Sequence, residues 1–170
     1  MTERFSICQA LLVIAAGLLA LGVPRPVAAE AGACHDLVGT YLTKNFVKGE
    51  TSGDFTSWSL IALSGSGQAS FTDSGEGEAG FGPFTGGRGS WRCSEANKLH
   101  AVTLDFTKPT LEAPKADIGR LDFDLAYDPA SKTIKGTATL RLIPLGSDPL
   151  AAATGPGHQF DIVGQRVEAP

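Results

Sequence analysis

From residue 37 to residue 167 the chain reads as eight successive β-segments separated by short turns, and nothing in that span has the 3.6-residue periodicity of a long helix. The clearest segment sets Leu121, Phe123, Leu125 and Tyr127 against Arg120, Asp122, Asp124 and Ala126, an apolar face against a largely charged one. Such alternation marks a strand buried on one side only. The segment before it sets Val102, Leu104 and Phe106 against Ala101, Thr103 and Asp105, so that Phe106 is expected to point inward. The segment after it sets Ile134, Ala138, Leu140 and Leu142 against Lys135, Thr137, Thr139 and Arg141. Further strands are predicted over 37–48, 55–63, 68–73, 89–93 and 158–167.

Turn chemistry connects these segments. Ser64-Gly65-Ser66-Gly67, Glu95-Ala96-Asn97-Lys98 and Asp128-Pro129-Ala130-Ser131 are compact turn sequences, and tight turns join antiparallel neighbours. Eight strands in meander order predict an all-β, eight-stranded antiparallel up-and-down barrel, with a two-sheet β-sandwich as the alternative. Two connections are longer. Residues 74–88 hold Gly75, Gly77, Gly80, Gly82, Gly86 and Gly87 around Phe81 and Phe84, and are expected to form a flap at one end of the fold. Residues 146–157 contain Asp148-Pro149, a cap and first position for one helical turn over 151–153.

Ahead of the strands, Arg4 is followed by an apolar run over 10–23, too short for a comfortable membrane span, and then by Pro24, Pro26 and small residues. This is the pattern of a secretory signal peptide. Cleavage after Ala29 or after Ala31 satisfies the small-x-small rule, and the first is preferred, giving a leader over 1–29 and one β-barrel domain over 30–170. A lipid anchor on Cys34 is disfavoured, because a polar, proline-containing stretch separates that cysteine from the apolar run. The expected location is periplasmic or secreted.

Loss of the leader removes Cys8 and leaves Cys34 and Cys93, which are expected to form a disulfide in an oxidising compartment. It also removes Glu3, Arg4 and Arg25, taking the formal charge from -4 to -5. A mildly acidic chain does not favour nucleic acid or an anionic membrane surface as a partner. Stable membrane insertion is not expected either. An outer-membrane barrel needs an uninterrupted apolar outer band, which Asp105, Arg120, Asp122, Asp124, Lys135 and Arg141 break.

Gly39-Thr40-Tyr41 opens the first strand, and Arg166 lies in the last on the same face as Phe160, Ile162 and Gly164. This resembles the calycin superfamily of lipocalins and related small-ligand carriers, whose first strand begins Gly-x-Trp and whose final strand supplies an arginine that packs on that tryptophan. The resemblance implies that Tyr41 and Arg166 seal one barrel end beside Gly39. The lipocalin signature between the sixth and seventh strands is absent and no helix follows the last strand, so the expectation is a lipocalin-like barrel, not a lipocalin proper.

No established catalytic or metal-binding spacing is present. His35, His100 and His158 are not spaced like metal ligands, although His100 is expected to share a face with Val102 and Leu104. Asp73, Glu76 and Glu78 sit on a glycine-rich loop that lacks the spacing of an EF-hand, and no Gly-x-Ser-x-Gly elbow occurs. No metal or cofactor is expected. The charges Arg120, Asp122 and Asp124 are expected to face solvent; turned inward, they would make an isomerase or cyclase acting in the lumen credible. A carrier of a small apolar or amphipathic ligand ranks first, with Trp58, Phe106, Phe123, Tyr127, Leu140 and Phe160 as lining candidates. A structural or interaction domain with a filled core ranks second, and an enzyme third.

Overall fold

A computed structural model describes residues 34–48, 56–76, 83–111, 114–151 and 156–170. After one 3-10 turn (His35–Leu37), eight strands follow: β1 (Gly39–Val47), β2 (Ser57–Leu63), β3 (Gln68–Asp73), β4 (Gly87–Glu95), β5 (Lys98–Phe106), β6 (Asp117–Asp128), β7 (Thr133–Pro144) and β8 (His158–Arg166). Each pairs antiparallel with the next, and β8 returns to β1, closing an up-and-down barrel and excluding the sandwich. Closure removes the sheet edges that an open sheet would have to protect. Among the described residues no helix is long and apolar enough to cross a membrane. The expected leader, residues 77–82 of the expected flap and residues 152–153 of the expected helical turn lie outside the described residues.

The apolar face of β6 fixes the phase of its neighbours. Leu125, Phe123 and Leu121 stand opposite Leu99, Ala101 and Thr103 of β5, and opposite Gly136, Ala138 and Leu140 of β7. A side chain and its cross-strand partner share a face, so these rows all point into the barrel. Small residues flank the largest one: Phe123 lies between Ala101 and Ala138, and across the lumen it meets Phe71 with ring centres 5.6 Å apart.

The barrel has two unlike ends. The β2–β3, β4–β5 and β6–β7 turns are short and lie at one end, where the core is filled. There Tyr41, Tyr127, Leu63, Leu99, Leu125 and Ile134 are buried, and the two tyrosines meet edge to face with ring centres 5.9 Å apart. The 3-10 turn caps this end. Tyr41 donates its hydroxyl to the Leu37 carbonyl at 2.9 Å, and Arg166 donates to the carbonyls of Asp36 and Val38. Gly39 has no side chain because the Arg166 guanidinium lies over it, with Nε 2.9 Å from where a Cβ would stand. Burial pushes the Tyr41 phenol up to about 12, and Arg166 pulls in the opposite direction. Cys34 and Cys93 are disulfide-paired, with Cα atoms 6.0 Å apart, and pin the turn to β4.

The outer wall corrects one expectation. Arg120, Asp122 and Asp124 do point away from the lumen, but the first two are not solvated: their side chains are 13% and 14% exposed. Asp122 accepts from both Arg120 and Arg141, and Arg120 reaches on to the carbonyls of Pro149 and Ala151, strapping the segment after β7 across the wall. These three groups therefore do not supply lumen carboxylates or a lumen arginine. His100 is also outside, 3.0 Å from Asp124.

Candidate functional site

The end opposite the plug carries the long connections, and a cavity of about 160 Å³ opens there into the barrel. One wall is apolar: Leu121 and Phe123 from β6, Ala138 and Leu140 from β7, and Phe160 and Ile162 from β8. These are the inward residues of three strands whose alternation is clear in the sequence. Phe71 closes the far side. Phe84, from the segment after β3, lies over the mouth and forms a bridge with Thr107 at the end of β5. This part of the expected flap is tied to the barrel, since Thr85 N–H donates to the Phe106 carbonyl and Lys108 N–H to the Pro83 carbonyl.

The other wall is polar, and sequence reasoning missed it. Asn45 from β1, Ser57 from β2, Asp73 from β3 and Asp105 from β5 all line the cavity. Asp73 is their hub. One of its carboxylate oxygens accepts from Asn45 Nδ2 at 2.9 Å, from Ser57 Oγ at 2.8 Å and from Ser59 Oγ, and the other accepts from the Gly75 N–H at 2.7 Å. A carboxylate only accepts, so the Asn45 amide must turn its nitrogen toward Asp73. Its oxygen, Oδ1, is then left buried without a partner, as is Thr103 Oγ1.

Asp105 is 3% exposed and stands opposite Gly119. A Cβ at Gly119 would lie 2.2 Å from its Oδ1, so glycine is what lets the carboxyl settle against β6. Burial lifts the Asp105 carboxyl from the ordinary 3.8 to about 6; Glu76 adds to the rise, and the Gly119 N–H opposes it. The loss of hydration dominates because a carboxylate in an apolar barrel has little to replace water.

Of the lining candidates taken from sequence, Phe123, Leu140 and Phe160 border the cavity, and Tyr127 is buried in the plug below it. Trp58 and Phe106 are corrections. Trp58 is on the outer face of β2, opposite Lys44, whose Nζ lies 5.0 Å over the indole ring. The inward residues of β2 are Ser57, Ser59, Ile61 and Leu63. Phe106 is 54% exposed, because register with β6 turns Ala101, Thr103 and Asp105 inward and leaves Val102, Leu104 and Phe106 outside. The available signal was the period-two polar set Thr43, Asn45, Ser57 and Ser59 in strands whose other face is Leu42, Lys44, Trp58 and Leu60.

Among the described residues, no group of three or more His, Cys, Asp or Glu side chains is placed to hold a metal ion. The closed eight-stranded antiparallel barrel, plugged at one end and hollow at the other, fits a calycin-like fold. Comparison with protein-family models, curated proteins and solved structures finds no match to this chain.

Proposed function

We propose that this is an exported carrier of the calycin type, a barrel that binds a small apolar or amphipathic molecule in its open half. The observation that supports it is the cavity: about 160 Å³, walled mainly by apolar side chains and reached from one end. Engineered cavities of about 150 Å³ admit benzene, so a ring-sized molecule, or the ring of a longer one, fits. The site lies at the mouth of a barrel, where small-molecule sites commonly occur. The signal peptide over 1–29 and the single domain over 30–170 belong to the same reading, as does a periplasmic or secreted location. The Cys34–Cys93 disulfide is compatible with that export route.

Leu140→Trp tests the proposal. An indole at this position occupies the cavity, so binding of benzyl alcohol, followed by calorimetry, should be lost while the chain stays folded. If the wild-type barrel and the variant take up the probe alike, the lumen is not the binding site.

A role as an interaction domain is the second reading. It is favoured by an apolar strip on the outer wall, where Leu42 pairs with Leu60, and Lys44 lies between Trp58 and Val163. Leu42, Leu60 and Val163 are 42%, 44% and 53% exposed.

A further inference from the structure

We infer that the ligand's polar end is a protonated amine, received by Asp105 and the Asn45 oxygen on the polar wall of the cavity. The inference rests on the carrier reading and deepens it. Its basis is a shortage of donors. Asn45 Nδ2 and the hydroxyls of Ser57 and Ser59 are committed to Asp73, and the Thr43 hydroxyl donates to the Ser59 carbonyl. What the wall retains is mainly acceptors: Asn45 Oδ1 has no partner, Asp105 is met by the backbone N–H of Gly119, and the Thr56 and Thr103 hydroxyls can serve either way. A ligand group that meets both the Asn45 oxygen and the Asp105 carboxylate must donate.

Charge narrows the choice further. Among the described residues, the ionisable ones lining the cavity are Asp73 and Asp105, with no Lys, Arg or His. The charged groups placed about Asp105 among the described residues are acidic. Glu76 follows β3, Asp73 ends β3, and Asp117 shares the Gly119 face of β6. Arg88 of β4 is opposite Leu104 and points outward, and His158 stands at the rim opposite Leu140. A carboxylate buried without a counter-ion is costly, and a ligand cation removes that cost. A metal ion does not suit the site, since no metal-holding group of side chains occurs among the described residues. An organic ammonium does, because its carbon skeleton fills the apolar wall and the faces of Phe71, Phe84 and Phe123 favour a nearby cation.

The test is calorimetric titration of the folded mature chain with benzylamine, benzyl alcohol and benzoate, which share a ring and differ in the charge of the polar end. At pH 7.5 benzylamine should bind at least tenfold more tightly than benzyl alcohol, and benzoate weakest. The ratio of the first two affinities should collapse toward one in Asp105→Asn, and again in the wild type at pH 5, where Asp105 takes up a proton while benzylamine keeps its charge. Equal affinity for amine and alcohol, or a preference for benzoate, overturns the inference and leaves the carrier reading standing. Failure of all three probes to bind at millimolar concentration overturns both.

Discussion

Asp105 is where stability and function pull apart. Its carboxyl titrates near 6 in the folded chain against an ordinary 3.8, so between those values the folded chain keeps a proton that the unfolded chain has released. Stability therefore falls as pH rises through this window, and the penalty is complete above about pH 7. The shift corresponds to about 3 kcal/mol as an upper bound. Asp105→Asn keeps an acceptor for the Gly119 N–H and carries no charge. In urea unfolding it should be more stable than the wild type by up to that amount at pH 7.5 and equal to it at pH 4. An unchanged or lower stability at pH 7.5 would mean that the carboxylate is already compensated. Nothing local in the sequence marks Asp105 as internal, because Val102, Leu104 and Phe106 make the other face of β5 the more apolar one.

Strands with one charged and one apolar face were legible; those with two mixed faces were not. β6 could be oriented from its alternation alone, and β7 and β8 followed, which is why Phe123, Leu140 and Phe160 were found. β5 and β2 were not, since their outward residues include Phe106 and Trp58 and their inward ones Asp105 and Ser59. Their phase is set by register with neighbours, a non-local property that hydropathy does not encode. The compact turns at the plugged end were legible because their residues carry the turn in their own chemistry, as where Asp128 accepts from the Ala130 N–H and the Ser131 hydroxyl. The pairing of Cys34 with Cys93 was expected because they are the only two cysteines from residue 30 onward. The bond ties the capping turn to β4 across 59 residues. In the chain-entropy model a loop of that length is worth about 4 kcal/mol. The double variant Cys34→Ser, Cys93→Ser should therefore lose stability of that order in urea unfolding. A loss below about 1 kcal/mol would show that the Tyr41 and Arg166 contacts hold the cap unaided.

Taken whole, the barrel divides into a packed half that secures the fold and an open half that the fold does not need to be filled. The plug buries Leu37, Tyr41, Leu99 and Ile134 almost completely, and each such side chain contributes about 1.5–3 kcal/mol. The open half instead holds Asp73, Asp105 and an unpartnered Asn45 oxygen around an apolar hollow, which no packing argument would select. Polar groups buried without partners cost stability, and a bound molecule that supplies partners restores it. Occupancy of the cavity therefore separates a carrier from an empty barrel. Native mass spectrometry of the mature chain, purified from the cells that make it and followed by organic extraction, reads this directly. A reproducible extra mass that leaves on denaturation, basic in character, is the expected result. A bare chain, lighter by two hydrogens for the disulfide and unchanged by extraction, would contradict the carrier reading and move attention to the apolar strip on the outer wall.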